Sequence, residues 1–239
     1  MDNRTPGNQT QPKRPALVFK LPGITLVGRS AVIALFVLLL LIAGLIGYFK
    51  PSISPSPLWI SAALWIGFMI YWSIAAKNAA TEKSSESQSS RRLHQNLMNA
   101  ALLLLFIPIP GLGQRFLPAA SFIVPAGVAL HVGSILLAVW ARRHLGRNWS
   151  GAITLKVDHQ LVRSGPYRFL RHPIYSAMLG MFVGTAVVSG AIHALIAVVI
   201  IGIAYWRKIG LEERRLGEAF GPEYDAYRRQ TWAIIPGLY

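Results

Sequence analysis

From Pro173 to Trp206 the chain runs for 34 residues with no acid or base other than His193. Such a run has one stable environment, the interior of a lipid bilayer. It is too long for one crossing, because about 20 residues at 1.5 Å each already cover the roughly 30 Å of hydrocarbon. The interruption Val187-Val188-Ser189-Gly190-Ala191 supplies turn chemistry in its Ser-Gly pair, so the run predicts two tightly joined helices, a helical hairpin over 173–206.

Other apolar stretches repeat the pattern. Residues 30–49 form a span of 20 residues without a charge, and 57–76 a second with Trp59, Trp65, Tyr71 and Trp72, aromatics of the kind that favour membrane interfaces. Residues 96–110 are shorter and broken by Pro108 and Pro110, and 118–141 again have full length. With 53% hydrophobic and 14% charged residues the fold class is all-α, a polytopic membrane helix bundle. Beyond small Ser and Thr the spans are read as nearly free of polar groups, which argues against a transporter or channel. His193, near the far side, reads as structural. Cysteine is absent, which excludes disulfides, thiolate nucleophiles, cysteine-zinc sites and iron–sulfur clusters.

The net charge of +15 would suggest nucleic acid in a soluble protein. Here the basic residues lie between apolar spans in no binding stripe, so the partner is membrane lipid and no nucleic acid is expected. Residues 1–29 read as a disordered basic tail, and no cleavable signal peptide is expected because the first apolar run starts only near Ser30. With six spans and a cytoplasmic N-terminus, 22 of the 24 Lys and Arg fall on one side, leaving Lys50 and Arg115. The positive-inside rule then puts both termini, and the polar segments 142–172 and 207–239, in the cytoplasm. The organisation expected is a tail over 1–29, N-terminal spans over 30–143 and a core over 144–239.

The polar segment before the hairpin ends in Gly165-Pro166-Tyr167-Arg168-Phe169-Leu170-Arg171-His172-Pro173. Arg168 and Arg171 serve as juxtamembrane anchors on one reading, and Tyr167 and Tyr175 as interfacial aromatics. His172-Pro173 says more. Pro suits the first turn of a helix, which fixes His172 at the N-terminal cap, where unpaired backbone N–H groups attract an anionic group. After the hairpin, Leu211 to Gln230 reads as helix with a break at Gly221-Pro222. Its Glu212-Glu213-Arg214-Arg215 run alone reads equally as a solvated face with local ion pairs.

Taken in order, Asp158-His159-Gln160-Leu161-Val162-Arg163-Ser164-Gly165-Pro166-Tyr167, Arg171-His172-Pro173-Ile174-Tyr175, the hairpin, and Glu212-Glu213 followed by Phe220-Gly221-Pro222-Glu223-Tyr224 resemble the isoprenylcysteine carboxyl methyltransferase family and its relatives among integral-membrane phospholipid methyltransferases. The resemblance covers about residues 144–239; the earlier spans match only in being hydrophobic. It implies methyl transfer from S-adenosylmethionine to a lipophilic acceptor entering from the bilayer, with the hairpin flanked by cytoplasmic cofactor-binding segments. Carried over by position, it implies a cofactor site of His159, Gln160, Leu161, Val162, Tyr167, His172, Pro173, Ile174, Tyr175 and Glu212. Glu212 would accept hydrogen bonds from ribose hydroxyls or pair with the amino group, and the tyrosines would pack on adenine or the sulfonium. In the eukaryotic enzymes an Arg before the Glu-rich run is associated with the acceptor carboxylate. Lys208 aligns with it and Arg207 stands beside it, and Lys lacks the planar fork of Arg. A carboxylate acceptor requires no catalytic base and no metal, only alignment and exclusion of water. An amine acceptor, as in phospholipid N-methylation, would need Glu213 or His159 as base. A sterol-reductase-like protein and a non-catalytic membrane protein are the remaining alternatives.

Overall fold

The computed structural model describes residues 18–21, 24–27, 57–76, 82–118, 120–146, 149, 154–156 and 161–237, and the chain divides into two compact units, Met1–Ile53 and Ser54–Tyr239. In the first unit β1 (Val18–Leu21) and β2 (Ile24–Val27) pair antiparallel, with Val18 opposite Val27 and Leu21 opposite Ile24. Both strands fall within the stretch 1–29 that the sequence reads as a tail. Both strands are apolar and partly β-branched, and the Pro22-Gly23 pair between them in sequence is turn chemistry. The expected span 30–49 lies outside the described residues.

The second unit is the helical membrane bundle. Helix α1 (Leu58–Ala75) follows the apolar stretch expected at 57–76, and α3 (Ile123–Leu145) that at 118–141. Between them α2 spans Gln88–Phe106, so it begins inside the stretch read as a polar connection. The reason is a cap: Ser87 Oγ accepts the Ser90 N–H at 3.3 Å, closing one of the open donors of the first turn. The hairpin is α4 (Pro173–Ser189) and α5 (Ile192–Phe220), joined at Gly190 in the left-handed conformation, φ 65°. A residue with a Cβ is strained there, so the Ser-Gly pair read from the sequence is the turn. Helix α5 does not stop at Arg207. Its 29 residues give a rod of about 44 Å, longer than the hydrocarbon, so its last turns project beyond the bilayer. It ends at Gly221, φ 52°, and Pro222 starts α6 (Pro222–Gln230). A small ribbon, β3 (Glu82–Ser85) antiparallel to β4 (Thr154–Lys156), ties the polar segments before α2 and after α3. These two ribbons are additions to an otherwise helical fold. Helices α1, α3 and α5 are long and apolar enough to cross a bilayer, with α4 a shorter apolar helix; this is an integral membrane protein.

Close packing is achieved with small residues, as expected where lipid offers no hydrophobic drive between helices. Helices α3 and α4 approach so nearly that a Cβ on Gly127 would lie 2.8 Å from the Gly184 carbonyl oxygen. On α5, Ala194, Ala197, Ile201 and Ala204 are fully buried at helical spacing. One reading of the spans is corrected here: they are not free of larger polar groups. His131, at the middle of α3, is completely buried, its Nδ1 3.3 Å from Thr185 Oγ1 on α4, which also accepts the Trp65 indole N–H from α1 at 3.1 Å. This cluster links three helices through one hydroxyl. At the hairpin tip His193 Nδ1 sits 2.6 Å from the Leu104 carbonyl, a structural contact, and Arg115 donates to the Ser189 carbonyl at 3.4 Å.

At the other end the polar segments converge. Arg142, buried at the C-terminus of α3, donates to the Gly146 carbonyl at 2.8 Å and to the Ala75 carbonyl, the last residue of α1, with the Trp149 ring 4.5 Å over its guanidinium. One cation thereby meets the negative ends of two helix dipoles. Arg207 on α5 reaches Ser90 on α2, and Arg171 reaches Glu213.

Candidate cofactor and acceptor site

The Gly-Pro-Tyr motif forms a single 3-10 turn, Gly165–Arg168. Gly165 has φ 60°, and a Cβ there would lie 2.7 Å from the His144 ring, so conformation and space both demand glycine. His144 Nε2 lies 2.8 Å from Ser164 Oγ, which holds the turn against the end of α3. Pro166 and Tyr167 are buried by it. Burial raises the Tyr167 hydroxyl above its ordinary value, with the Glu212 charge adding to the effect. Phenol and carboxylate are therefore electrostatic neighbours.

The strand-like stretch after the turn pairs with the chain's last described segment. Trp232 N–H donates to the Phe169 carbonyl at 3.0 Å, Arg171 N–H to Trp232 at 2.8 Å and His172 N–H to Ala233 at 3.0 Å. Arg171 is the clasp. Its Nε donates to Glu213 Oε1 at 2.7 Å, both side chains being 7% exposed, and its Nη1 to the Arg228 carbonyl at 3.1 Å and to the Thr231 carbonyl. Arg228 Nε lies 3.6 Å from the other oxygen of Glu213. Burial alone pushes the Glu213 carboxyl up, but the His172 and Arg171 groups against it outweigh that and hold it down at about 2. Arg171 is thus a structural lock as well as a basic residue near the membrane.

His172 caps α4 with Pro173 in the first turn, as the sequence predicts. Its ring, 4% exposed, stands between two carboxylates. Nδ1 is 3.8 Å from Glu212 Oε2 and Nε2 3.4 Å from Glu213 Oε1, and Nε2 has no aligned hydrogen-bond partner. The imidazole stacks on Tyr175 (5.5 Å, 15°), Tyr175 on Tyr205 (5.1 Å, 20°), and Tyr205 meets His94 (5.6 Å, 52°). Tyr175 donates to Glu212 Oε2 at 2.8 Å, and the Lys208 ammonium lies 5.9 Å from the Tyr175 ring centre. Adjacent glutamates on one helix therefore do different work: Glu213 is consumed inside by Arg171, whereas Glu212 keeps a side chain 31% exposed.

Of the sequence-predicted residues, the structure brings His172, Tyr175, Glu212 and Lys208 into one cluster, with Tyr167 in electrostatic reach. Pro173 is buried in its helix turn, and Ile174, Leu161 and Val162 are half-buried. His159 and Gln160 lie outside the described residues. Arg207 is turned toward α2, donating to Ser90 Oγ at 2.6 Å. A cleft of about 370 Å³ between α5 and α6, lined by Gly210, Glu213, Tyr224 and Arg228 among others, includes none of the residues predicted to hold the cofactor or the acceptor carboxylate. Arg171, Tyr205 and Tyr227, whose hydroxyl donates to the Tyr167 carbonyl at 2.7 Å, were missed as site-builders, and Glu213 was named only as a base for an amine acceptor, not as the partner of Arg171. Their partners are tens of residues away, and no spacing rule links them.

Residues 122–223 match the family model for phospholipid methyltransferases. Similar proteins include a protein-S-isoprenylcysteine O-methyltransferase of Dictyostelium discoideum, 29% identical over 61% of this chain and 63% of that protein. Isoform B of Arabidopsis thaliana is 29% identical over 53% and 64%, so the chain spans just under two thirds of the length of either relative. The cobalt-zinc-cadmium resistance protein CzcN of Cupriavidus metallidurans is 37% identical over 39% of this chain and 44% of its own. Among solved structures, a eukaryotic intramembrane Ras methyltransferase, an isoprenylcysteine carboxyl methyltransferase, superposes with a TM-score of 0.57 over 88% of this chain and 75% of that one, at 19% identity. That likeness is one of fold.

Proposed function

We propose that this chain is a member of the isoprenylcysteine carboxyl methyltransferase family of integral-membrane methyltransferases and transfers a methyl group from S-adenosylmethionine to the carboxylate of an isoprenylcysteine-like acceptor. The observation that carries the reading is the division of labour at Glu212-Glu213: one carboxylate locked, its neighbour presented beside Tyr175 and His172. These residues fit the donor. Glu212 offers an accessible carboxylate for hydroxyl or ammonium donors, and His172 keeps a buried ring nitrogen without an aligned partner. The tyrosine rings offer faces for adenine or a cation. Bound there, the sulfonium supplies an already activated methyl group. The chain's own part is placement: His172, Tyr175 and Glu212 orient the donor, Lys208 balances the acceptor's charge, and the stacked rings of His172, Tyr175 and Tyr205 exclude water.

The depressed pKa of Glu213 argues against one of the two bases that an amine acceptor would need. A group held at about 2 and clasped by Arg171 is a poor proton acceptor at neutral pH, and a carboxylate acceptor has no proton to lose. The positive-inside rule orients the site, with both termini, toward the cytoplasm, facing lipidated protein acceptors.

The direct test uses purified protein in lipid with methyl-labelled S-adenosylmethionine and a panel of prenylcysteines and phospholipids. Label is expected in the prenylcysteine fraction; label confined to phospholipid would replace this reading with N-methylation. On the same preparation Glu212→Gln keeps size and removes charge, so cofactor affinity should fall by about 1.5–3 kcal/mol. Glu218→Gln, at an exposed position of the same helix, should bind as the parent does. Equal binding by both variants returns Glu212 to a solvated helix face.

A further inference from the structure

Glu86 immediately precedes α2 and is 6% exposed. Its Oε1 accepts the Ser90 hydroxyl, and Ser90 Oγ in turn accepts Arg207 Nη2 at 2.6 Å. A carboxylate is therefore joined to an arginine through one hydroxyl, in a chain polarised by the charge at each end. The other oxygen, Oε2, is buried and has no hydrogen-bond partner among the described residues. Buried carboxylate oxygens are normally satisfied, so an empty one asks for a reason. On the same end of the bundle the protein makes a structural ion pair quite differently, with Arg171 directly on Glu213 at 2.7 Å.

The surroundings of Glu86 supply the reason. The His94 ring, packed on Tyr205, feels Lys208, Glu86 and Arg207 together, so these groups share one region between α2 and α5. Lys208 in turn lies 5.9 Å from Tyr175, which holds Glu212. The Glu86 carboxylate is thus tied through Ser90 to Arg207 and shares the region of His94 with Lys208, the two cations assigned to an acceptor carboxylate.

We infer that Glu86 is a specificity-determining residue, an exchangeable internal counter-ion at Arg207 and Lys208 that competes with the ionised carboxylate of the acceptor. The inference rests on the acceptor reading given above. Its consequence is directional. The ionised acceptor must share the cations with Glu86, whereas the methylated product carries no charge and leaves them to Glu86, which favours release. Methyl transfer itself moves the methyl group from sulfur to a carboxylate oxygen, and the acceptor's negative charge disappears as the sulfonium's positive charge does.

The test compares binding of N-acetyl-S-farnesylcysteine and its methyl ester to the full chain in lipid nanodiscs. Glu86→Gln should tighten the free acid by about tenfold relative to the ester, while Glu86→Asp, which keeps the charge, holds the parent ratio. Reading a ratio removes any general loss of folded protein, and thermal melts of both variants check it. An acid-to-ester ratio in Glu86→Gln that is unchanged from the parent, or shifted against the acid, overturns the role of Glu86 while leaving the methyltransferase reading intact. A parent protein that binds neither ligand and methylates no prenylcysteine overturns both.

Discussion

Arg171→Ala should be the most damaging single change to the fold of this end of the molecule, costing about 3–5 kcal/mol because it strands a buried carboxylate. The guanidinium holds three things at once: Glu213 on α5, the carbonyl of Arg228 at the end of α6, and the carbonyl of Thr231 in the segment that pairs with residues 169–172. Loss of the clasp should release that segment first, so protease sensitivity near Thr231 ought to appear before the bundle melts. The acid limb provides a second check. Glu213 is held at about 2 against an ordinary 4.5, a difference worth about 3 kcal/mol. Because the folded value is the lower one, this stabilisation is complete above about pH 4.5 and is lost as pH falls toward 2. In Arg171→Ala that acid-dependent loss should shrink, and adding Glu213→Gln should recover part of the stability by removing the stranded charge. Arg168→Ala is the comparison, since Arg168 is exposed and rests over the Phe169 ring at 4.6 Å. Melting points and acid limbs that move alike in the two variants would mean Arg171 is an ordinary juxtamembrane anchor.

What the sequence made legible depended on local chemistry. Pro173 at a first helical turn, Gly190 at a hairpin tip and Gly221-Pro222 at a helix break each impose their conformation within a residue or two, and each is where it was expected. The cluster of His172, Tyr175 and Glu212 was legible only as a family resemblance, because Tyr175 and the carboxylate it donates to are 37 positions apart in sequence. The start of α2 was hidden because its first turns are polar and solvent-compatible, so hydropathy placed the boundary near residue 96 instead of Gln88. His131 was hidden for the opposite reason. One imidazole in an apolar run barely changes the run's hydropathy, yet in the bundle it lies against a Thr hydroxyl and an indole ring. Arg171 and Glu213 were read as basic anchor and helix-face acid. Which of two adjacent glutamates turns inward is decided by the rotation of α5 against α4, and composition does not carry that information.

His172→Lys should leave insertion and expression near normal and lower methyl transfer by roughly a hundredfold, the order of loss expected when a reacting group is displaced by about 1 Å. Lysine keeps a cation available beside Pro173, so an anchor would survive the exchange. It does not keep the ring. The imidazole is the first member of the stack that continues through Tyr175 and Tyr205, and its two nitrogens face Glu212 and Glu213 at 3.8 and 3.4 Å. An ammonium at that point has no planar face for Tyr175, and it would draw the accessible Glu212 into an ion pair, withdrawing from the cofactor the carboxylate assigned to it. The loss should therefore show as weaker S-adenosylmethionine binding together with a lower kcat. Arg168→Lys, at an exposed position outside the cluster, should be nearly silent in both. If His172→Lys binds cofactor and methylates at the parent rate, the imidazole is a membrane-side anchor, and the cofactor must be held by residues other than this stack.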